Sequence, residues 1–427
     1  MIPISEFVER RQRLLSQMAD NSVLILAAAV EVTRSRDTEY PFRQNSDFFY
    51  LTGFPEPDAW LLIEKTNDSE ASSTLVCRTK DKLAEIWQGR RIGKDVAKSD
   101  FLFDITHEQD ELDQALHQAV NGKDTLYLSQ GESTSVDNIV FDLLNKLRSA
   151  PKKGWNAPTQ VIDPRPIIHE MRLFKSDAEI AIMKQAALIS GNAHKRAMRF
   201  ASNQIGNNRP LFEYQLEAEI HHEFAMNGAR FPAYGTIVGS GENACILHYT
   251  ENDEQVAANE LVLIDAGCEL QGYAADITRT FPASGKFSEE QKTIYQLVLD
   301  TQQQVIETIK PGVTLKELTD LSVHLITDGL VKLGILSGDV ETLIAENAHR
   351  AFYMHGLAHW LGLDVHDVGD YNQAGAHRPL EQGMVFTIEP GIYIDSDADC
   401  DSKWHGIGVR IEDNILITAD GFENLTE

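Results

Sequence analysis

Two aspartates lie within one short β-rich stretch, and their spacing could bring two carboxylates together. The stretch reads LVLIDAGCELQGYAADITRTF over residues 261–281, with Asp265 ending an apolar run and Asp276 lying in a second β-rich run. Acids on adjacent buried strands repel each other by several kcal/mol, and a divalent metal ion is the simplest compensation. The alternative is ordinary: Asp265 ends a strand or caps a turn, and Asp276 pairs with Arg279.

A histidine-rich stretch offers nitrogen ligands. HGLAHWLGLDVHD places His355 and His359 four residues apart, and His366 follows beyond glycine-punctuated turns. A single histidine is more often a satisfied core residue than a ligand, but three beside glycines are unusual. Position 356 is glycine, so the HExxH pattern is absent and a single-zinc peptidase mechanism of that type is disfavoured.

Two further acids follow near the C-terminus. MVFTIEPGIYI is an apolar strand that stops at Glu389, where Pro390 and Gly391 turn the chain. In GIGVRIEDN, Arg410 and Glu412 are two residues apart and therefore share one face of a strand. A structural salt bridge would explain that last pair alone, but not the other candidate ligands.

The candidate ligands form a hard, oxygen-rich set that suits manganese or a similar ion: Asp265, Asp276, His359, Glu389 and Glu412. Four carboxylates overcharge a single divalent ion. Two ions balance them, about 3.5–4 Å apart, with a bridging water whose pKa falls to about 7 so that hydroxide attacks at neutral pH. The set therefore predicts a centre with two divalent metal ions.

The elements that must position these residues alternate between strand and helix, which is typical of an α/β protein. Pro, Gly and Asn cluster over residues 149–166, which predicts a connection and a domain boundary near residue 172. Capping boxes predict helices that begin at Ser176, Ser288 and Thr314. The other segment predictions are a helix over Ser5–Met18, a strand over Val23–Ala28, a loop leading into a strand over Arg34–Phe54, a surface loop over Ala201–Leu211 and a helix over Glu213–Met226.

Composition narrows the class of protein. The 427 residues suit two domains, and the net charge is 38 − 65 = −27, which argues against nucleic acid or an anionic membrane as a partner. The most apolar N-terminal run, residues 23–30, is far shorter than the about 20 residues of a membrane span. Four scattered cysteines without a CxxC pair favour a reducing compartment. We expect a cytoplasmic protein.

The chain resembles the bacterial aminopeptidase P branch of the pita-bread metallopeptidases over essentially its whole length. The resemblance lies in IDAGCELQGYAADITRTFP, GSGENACILHYTEN, HGLAHWLGLDVHDVG, TIEPGIYI and GIGVRIEDN, with RQNSDFFYLTGF and IWQGRRIG in the first half. It implies a creatinase-like N-terminal α/β domain with oligomer contacts over residues 1–172 and an α+β pita-bread catalytic domain over 173–427. Two departures are a longer Asn-rich insert near residues 202–210 and an end at Glu427, where relatives often continue.

The resemblance also implies roles for the ligands. Asp265 and Asp276 would hold metal, with Asp276 and Glu412 bridging two ions and His359 on one of them. Glu389 would lie near the nucleophilic water and pass its proton toward the leaving proline nitrogen. The implied activity is removal of an N-terminal residue that precedes proline, with manganese as the expected metal.

Residues around the ligands would bind the peptide, again by resemblance. His248 and His366 match positions that donate hydrogen bonds to the substrate carbonyl or the tetrahedral intermediate. His355 and Arg410 match positions around the proline pocket, and Tyr234 matches a tyrosine close to the metals. For Trp87, spacing alone favours a surface loop, but in relatives this position reaches a neighbouring subunit's active site, which implies a homotetramer or dimer.

Three alternatives stay open in the sequence. A prolidase, which cleaves the dipeptide, would use the same five ligands. A pita-bread binding module or scaffold would have lost its ligands, whereas all five positions here hold competent residues. Creatine hydrolysis on the same fold proceeds without metals and is disfavoured for the same reason.

Overall fold

The computed structural model describes residues 1–426, so the prediction about the chain's end at Glu427 lies outside the described residues. The chain divides into two compact units between Met171 and Arg172, with Met1 grouped with the second. The boundary falls inside a helix and not within the Pro- and Gly-rich stretch that precedes it. Among residues 1–426, no helix is both long enough and apolar enough to cross a membrane.

The N-terminal unit is built on one six-stranded mixed sheet of order β6-β5-β4-β1-β7-β8. Its strands are β1 Ser22–Ala27, β4 Trp60–Asn67, β5 Glu70–Cys77, β6 Ile105–Glu108, β7 Thr125–Leu128 and β8 Gln160–Ile162, and a separate hairpin is formed by β2 Thr33–Ser35 and β3 Thr38–Glu39. Its helices are α1 Ile4–Gln17, α2 Ser46–Thr52, α3 Lys82–Gln88, α4 Gly93–Asp100, α5 Leu112–Val120, α6 Thr134–Arg148 and α7 Arg165–Leu173, which crosses the boundary.

The centre of this sheet is the apolar run that the sequence indicates. Strand β1 reads SVLILA with its first five residues buried, and it pairs antiparallel with β4 and parallel with β7. Apolar residues of α5 and α6 pack on one sheet face with Val23, Ile25 and Leu62. The α/β prediction for this half is confirmed.

One prediction in this unit is wrong. Residues 34–54 were expected to form a loop that leads into a strand, but they contain the β2–β3 hairpin and helix α2. Asn45 caps this helix by accepting a hydrogen bond from the amide of Phe48 at 2.9 Å, and Gly53 ends it with φ of 62°. A Cβ at Gly53 would lie 2.6 Å from the ring of Phe7, so glycine is needed there for space as well as for φ.

The C-terminal unit combines long helices with several small antiparallel sheets. Its helices are α8 Asp177–Gly206, α9 Glu213–Met226, α10 Glu289–Glu307, α11 Leu315–Lys332 and α12 Val340–Ala345. Its strands are β9 Phe231–Pro232, β10 Ile237–Ser240, β11 Leu261–Asp265, β12 Cys268–Leu270, β13 Tyr273–Ala274, β14 Thr278–Pro282, β15 Asn372–Gln373, β16 Ala376–His377, β17 Val385–Ile388, β18 Gly391–Ile394, β19 Ile407–Arg410, β20 Asp413–Ile417 and β21 Phe422–Asn424.

Three of these sheets carry the residues of interest, with strand orders β10-β11-β14, β17-β20-β21 and β18-β19. Two hydrophobic clusters hold the helices to them: α10 and α11 pack with β18 and β19 through residues such as Val298, Ile326 and Ile392. A second cluster joins Leu173, Trp360 and Phe386. The expected α+β architecture of this half is confirmed.

Helix starts in this unit agree with the sequence, whereas one helix end does not. Ser176, Ser288 and Thr314 each form the predicted capping box with the side chain three residues later. Helix α8, however, continues through Ala201 to Gly206, where a surface loop was expected. Ala193, Ala197 and Ala201 are fully buried at intervals of four, so packing of one helix face extends the helix into the Asn-rich segment.

Candidate metal centre and active site

Strand pairing fixes the position of Asp265. It is the last residue of β11, where it pairs with Thr278 of β14 on one side and with Ile237 of β10 on the other. A Cβ at Gly267 would lie 1.7 Å from the carbonyl oxygen of Ala275, so only glycine allows the chain to pass this close to the segment before Asp276.

Asp276 and Glu412 are held by hydrogen bonds to residues far away in sequence. Asp276 lies between β13 and β14, not within a strand, and its amide donates to Oδ1 of Asn414 at 3.1 Å while its carbonyl accepts from Nδ2 of the same residue. Glu412 lies between β19 and β20; its amide donates to the carbonyl of Thr278 at 3.1 Å, and its Oε2 accepts from the Thr278 hydroxyl at 2.7 Å. These bonds bring the two carboxylates to one place.

His359 and Glu389 are placed by a second set of backbone contacts. The amide of Thr387 donates to the carbonyl of His359 at 3.0 Å, and the amide of Glu389 donates to the carbonyl of Leu357 at 2.9 Å. Nε2 of His359 then lies 3.3 Å from Oδ2 of Asp276 and 3.5 Å from Oε1 of Glu389. Nδ1 of the ring is 3.0 Å from the carbonyl of Trp360, which leaves Nε2 free to face the acids.

Asp276, His359 and Glu412 each offer a ligand atom, and these atoms lie within 4.8 Å of one another. Burial raises the pKa of Asp276 and of Glu412 well above the ordinary range, and Asp265 repels the first while Asp276 repels the second. The pKa of Glu389 is also raised well above its usual value, by burial and then by Glu412. Buried acids that repel one another are a site that a divalent cation compensates, so these residues fit a metal.

Arg410 and Tyr234 contact two of the candidate ligands, Asp265 and Asp276, instead of facing open space. Arg410 donates to Oδ2 of Asp265 at 2.6 Å, to the Tyr393 hydroxyl at 2.9 Å and to the Thr278 hydroxyl at 3.1 Å. The hydroxyl of Tyr234 lies 2.6 Å from Oδ1 of Asp265 and 2.5 Å from Oδ1 of Asp276. Both side chains therefore orient carboxylates.

The candidate ligands line a cavity of about 460 Å³. Its lining also includes the three remaining candidate histidines: the full set is Leu247, His248, Asp265, Asp276, His355, Gly356, Ala358, His359, His366, Tyr371, Glu389, Arg410 and Glu412. Burial and the charge of Arg410 lower the pKa of His355 to about 4, and burial and His359 lower the pKa of His366. Both rings are therefore neutral at pH 7 and can donate or accept hydrogen bonds.

A series of hydrogen bonds joins the candidate ligand Asp265 to one of these histidines. Nη1 of Arg410 donates to the Tyr393 hydroxyl, which lies 2.8 Å from Nε2 of His355, and Nδ1 of His355 lies 2.7 Å from the carbonyl of Gly356. Arg410 thus contacts Asp265 directly and, through the hydroxyl of Tyr393, fixes the orientation of His355.

Trp87 is not among the residues that line this cavity. It lies on α3 of the N-terminal unit with 83% of its surface exposed, on a helix and not in the surface loop that spacing favoured. A larger cavity of about 710 Å³ in that unit is lined by Arg11 and Lys65, whose charged groups donate to backbone carbonyls. Cavity size alone would therefore have pointed away from the acids.

Sequence reasoning missed four supporting residues: Thr278, Thr387, Tyr393 and Asn414. Each lies inside or beside a stretch that carries a candidate ligand, but their hydrogen bonds cross up to 138 positions of sequence. A polar side chain within an otherwise apolar strand, such as Thr387 in VFTI, is the one local signal that could have marked them.

The profile of metallopeptidase family M24 matches residues 181–419, and the profile of the aminopeptidase P N-terminal domain matches residues 7–127. The chain belongs to metallopeptidase family M24. Membership implies divalent metal ions, and among residues 1–426 Asp276, His359 and Glu412 form a group whose ligand atoms lie close enough together to hold one. The family resemblance stated from the sequence motifs is confirmed.

Individual relatives of this M24 chain match over almost their whole length. Xaa-Pro aminopeptidase of Escherichia coli is 53% identical over 99% of this chain and 94% of its own, and that of Haemophilus influenzae is 47% identical over 100% and 94%. A solved structure of a glutamate-to-alanine variant of E. coli aminopeptidase P in complex with substrate superposes with a TM-score of 0.96 at 52% identity, covering 100% of this chain and 95% of that one. A zinc-substituted form of the same enzyme in complex with product gives the same values.

Proposed function

We propose that this protein is a metal-dependent Xaa-Pro aminopeptidase, which releases the N-terminal residue of a peptide when proline is the second residue. The observation that carries the proposal is the convergence of Asp276, His359 and Glu412 within 4.8 Å beside a cavity. The 53% identity to a relative named for this activity supports the same substrate class.

We propose two divalent ions per subunit, with manganese as the working metal. Asp265, Asp276, His359, Glu389 and Glu412 would hold them, and ligand atoms of Asp276, His359 and Glu412 lie within 4.8 Å of one another. When bound, such ions lower the pKa of a coordinated water and polarise a carbonyl group. Oxygen-rich ligands with a single histidine favour a hard ion such as manganese.

Glu389 is the residue that we expect to move protons. It directly follows β17 and lines the cavity, with Oε1 3.5 Å from Nε2 of His359 and Oε2 3.7 Å from Nδ1 of His355. A buried carboxyl whose pKa is raised by burial can accept a proton from the attacking water and return it to the nitrogen of the leaving peptide. The prolyl nitrogen carries no hydrogen in the substrate and must gain one to leave, so this transfer is required.

The remaining task is to hold the substrate carbonyl, and the histidines that line the cavity suit it. His248 and His366 line the cavity beside the acids, and either could donate a hydrogen bond as negative charge develops on the oxygen. His355 would bind near the proline ring, fixed by the contacts from Arg410 and Tyr393. Arg410 and Tyr234 would act mainly by orienting Asp265.

We also propose that the protein forms a homo-oligomer, a tetramer or a dimer. Leu83, Ile86 and Trp87 are 68%, 75% and 83% exposed, and their spacing places them on one face of α3. An exposed apolar face of this kind marks a contact site, and Trp87 would reach a neighbour's cavity from it. Four cysteines without a disulfide agree with a cytoplasmic location.

The test compares two substrates in metal-free protein and after addition of manganese. Manganese-dependent cleavage of a tripeptide Xaa-Pro-Yaa is expected, with the dipeptide Xaa-Pro cleaved poorly. Cleavage of the dipeptide alone would make the protein a prolidase, and no cleavage of either would favour a binding module. Glu389→Ala should abolish turnover, whereas Glu423→Gln, which changes an exposed acid paired with Lys184, should not.

The oligomer is tested separately by light scattering of the purified protein. Trp87→Ala together with Ile86→Ser should shift the mass toward the monomer and lower activity per subunit, because the apolar face of α3 is lost. Exposed Leu188, 64% exposed on α8, offers a control position where Leu188→Ser should change neither value. A wild-type mass equal to one chain would refute this part of the proposal.

A further inference from the structure

Within residues 1–426, the imidazole of His248 has no hydrogen-bond or ring-stacking partner, unlike the other cavity histidines. His355 is bound by Tyr393, and His359 faces Asp276 and Glu389. The ring of His366 packs edge to face on that of His359. His248 follows the short turn at residues 241–245 and lies on an irregular segment before β11. Whatever fixes this segment therefore sets the place at the cavity from which the ring of His248 extends.

One buried carboxylate accepts hydrogen bonds from residues on both sides of His248 in the sequence. Glu213, the first residue of α9, is fully buried. Its Oε1 accepts from the amide and hydroxyl of Ser240 at 2.7 and 2.8 Å and from Nδ2 of Asn243 at 3.2 Å. Its Oε2 accepts from the hydroxyl of Tyr249 at 2.8 Å and from the amide of Glu254 at 3.1 Å. His248 lies between these two groups of donors in the chain.

The donors on Glu213 are all neutral, which is unusual for a fully buried acid. A buried carboxylate needs compensation, and here five hydrogen bonds from four residues supply it in place of a cation. Such bonds hold donors in fixed directions, so the acid orders the segment instead of pairing with a charge. Asn252 adds a second tie, accepting from Val238 and donating to Thr236, both at 2.9 Å.

The link from Glu213 to the cavity runs through Tyr249, the neighbour of His248. Tyr249 is 6% exposed and packs with Ile237, Leu263 and Tyr393. Tyr393 is the same residue that binds Arg410 and His355. The ring of Tyr249 thus shares a hydrophobic cluster with Tyr393, which binds two residues of the cavity lining, while its hydroxyl donates to Glu213.

We propose that Glu213 is a positioning residue that acts through Tyr249 to hold His248 toward the substrate carbonyl. This inference rests on the proposed function, since it assumes that His248 contacts the reacting peptide. It goes beyond that function by assigning a task to a buried acid and a tyrosine that lie outside the ligand shell. Neither side chain lines the cavity.

The central test is a double-mutant cycle between Tyr249→Phe and His248→Ala, with manganese-loaded enzyme and a tripeptide substrate. Tyr249→Phe removes one hydroxyl and leaves Glu213 its other donors, so the fold should survive. We expect kcat/KM to fall about tenfold, because small misplacements of a group near the reacting atoms are costly. In the His248→Ala background the same change should cost less than about twofold, since the residue it positions is gone.

Two further measurements separate positioning from a general loss of structure. Glu213→Gln should lower kcat/KM by about 100-fold, because the amide cannot accept all five bonds. Hydrogen–deuterium exchange of the metal-free protein should be faster over residues 246–251 in Tyr249→Phe and in Glu213→Gln than in the wild type. Tyr214→Phe, which alters the half-exposed tyrosine next to Glu213, should change neither exchange nor activity.

The outcomes distinguish the inference from the function beneath it. The positioning role alone would be overturned if Tyr249→Phe kept full activity. It would also be overturned if Tyr249→Phe caused an equal loss in the wild-type protein and in the His248→Ala variant. Full activity of His248→Ala would overturn the role of His248 in the proposed function, and the inference with it. A loss confined to the background that retains His248, together with faster exchange at residues 246–251, would support it.

Discussion

Asp367 gives the sharpest test of how the active-site loop is held. Its side chain is 1% exposed, and it accepts from Nη2 of Arg172 at 2.5 Å and from Nζ of Lys175 at 3.0 Å. It directly follows His366, and its amide donates to the carbonyl of Trp360, the neighbour of His359, at 2.9 Å. The loop between the two cavity histidines is therefore anchored by a buried anion.

The perturbation is Asp367→Asn, which keeps the size of the side chain but removes its charge. Removing one partner of a buried ion pair costs about 3–5 kcal/mol, because the other charge stays buried without compensation. Arg172 keeps its contact with Asp364 at 2.8 Å, so we expect the lower end of that range. At about 2–4 °C per kcal/mol for a domain of this size, the C-terminal unit should unfold about 6–12 °C lower.

The assay is thermal unfolding of metal-free protein, so that metal affinity does not enter. Glu423→Gln is the control, since its pair with Lys184 is 45% exposed on both sides and should contribute at most about 1 kcal/mol. The double variant Asp367→Asn with Lys175→Met should recover part of the loss, because it also removes a buried cation. A shift of Asp367→Asn below about 2 °C would refute the reasoning.

The pH dependence of this difference follows from the same contacts. Burial by itself raises the pKa of Asp367, but Lys175 and Arg172 outweigh it, so the pKa lies below the ordinary 3.8. A lowered pKa in the folded state stabilises the protein above 3.8, and this stabilisation is lost as the pH falls through the lower value. The gap between wild type and Asp367→Asn should stay constant near neutral pH and shrink in acid.

Three further predictions concern the metal centre. Gly267→Ala should weaken manganese binding at least about tenfold, because the new Cβ would overlap the carbonyl of Ala275, next to Asp276. Calorimetry measures the affinity, and circular dichroism checks that the variant is folded. Unchanged affinity would contradict this prediction. Arg410→Ala should lower kcat about 100-fold by freeing Asp265 to move, but should retain more activity than Glu389→Ala in the same assay. Finally, the pKa values of Asp276 and Glu412 are raised in the folded protein. The free energy of unfolding of the metal-free protein should therefore fall as the pH rises above the ordinary carboxyl range, by up to about 1.4 kcal/mol per pH unit for each group. The difference in Tm between manganese-loaded and metal-free protein should therefore grow with pH, and a constant difference would count against the site.

Local patterns predicted much of the fold because they depend on neighbours in the chain. The run LVLID predicted a buried strand ending in Asp265, and the capping boxes at Ser176, Ser288 and Thr314 marked three helix starts. Errors arose where packing decided the outcome. Ala201 lies in a polar stretch of sequence but on the buried face of a helix. Residues 46–52 are helical, with Asn45 as the N-cap and Gly53 packed on Phe7.

The ligand residue types were readable from the sequence, whereas their spacing in the folded protein was not. Acids at strand ends and a histidine cluster indicate a metal, but nothing local shows that Asn414 binds the backbone of Asp276 across 138 positions. The same applies to Thr278 and Glu412, which are 134 apart. The roles assigned to the ligands and the cavity histidines stay predictions until the variants are measured.

The site and the contact between its sheets are formed by the same bonds. Thr280 of β14 exchanges hydrogen bonds with the backbone of Arg410 on β19, at 3.0 and 3.2 Å, and the amide of Glu412 binds the carbonyl of Thr278. These contacts join the sheet that carries Asp265 to β19, which carries Arg410, and to Glu412, which lies between β19 and β20. Separation of the sheets would therefore move the carboxylates apart. A bound cation would hold those carboxylates together, so metal binding should stabilise the contact between the sheets as well as the site.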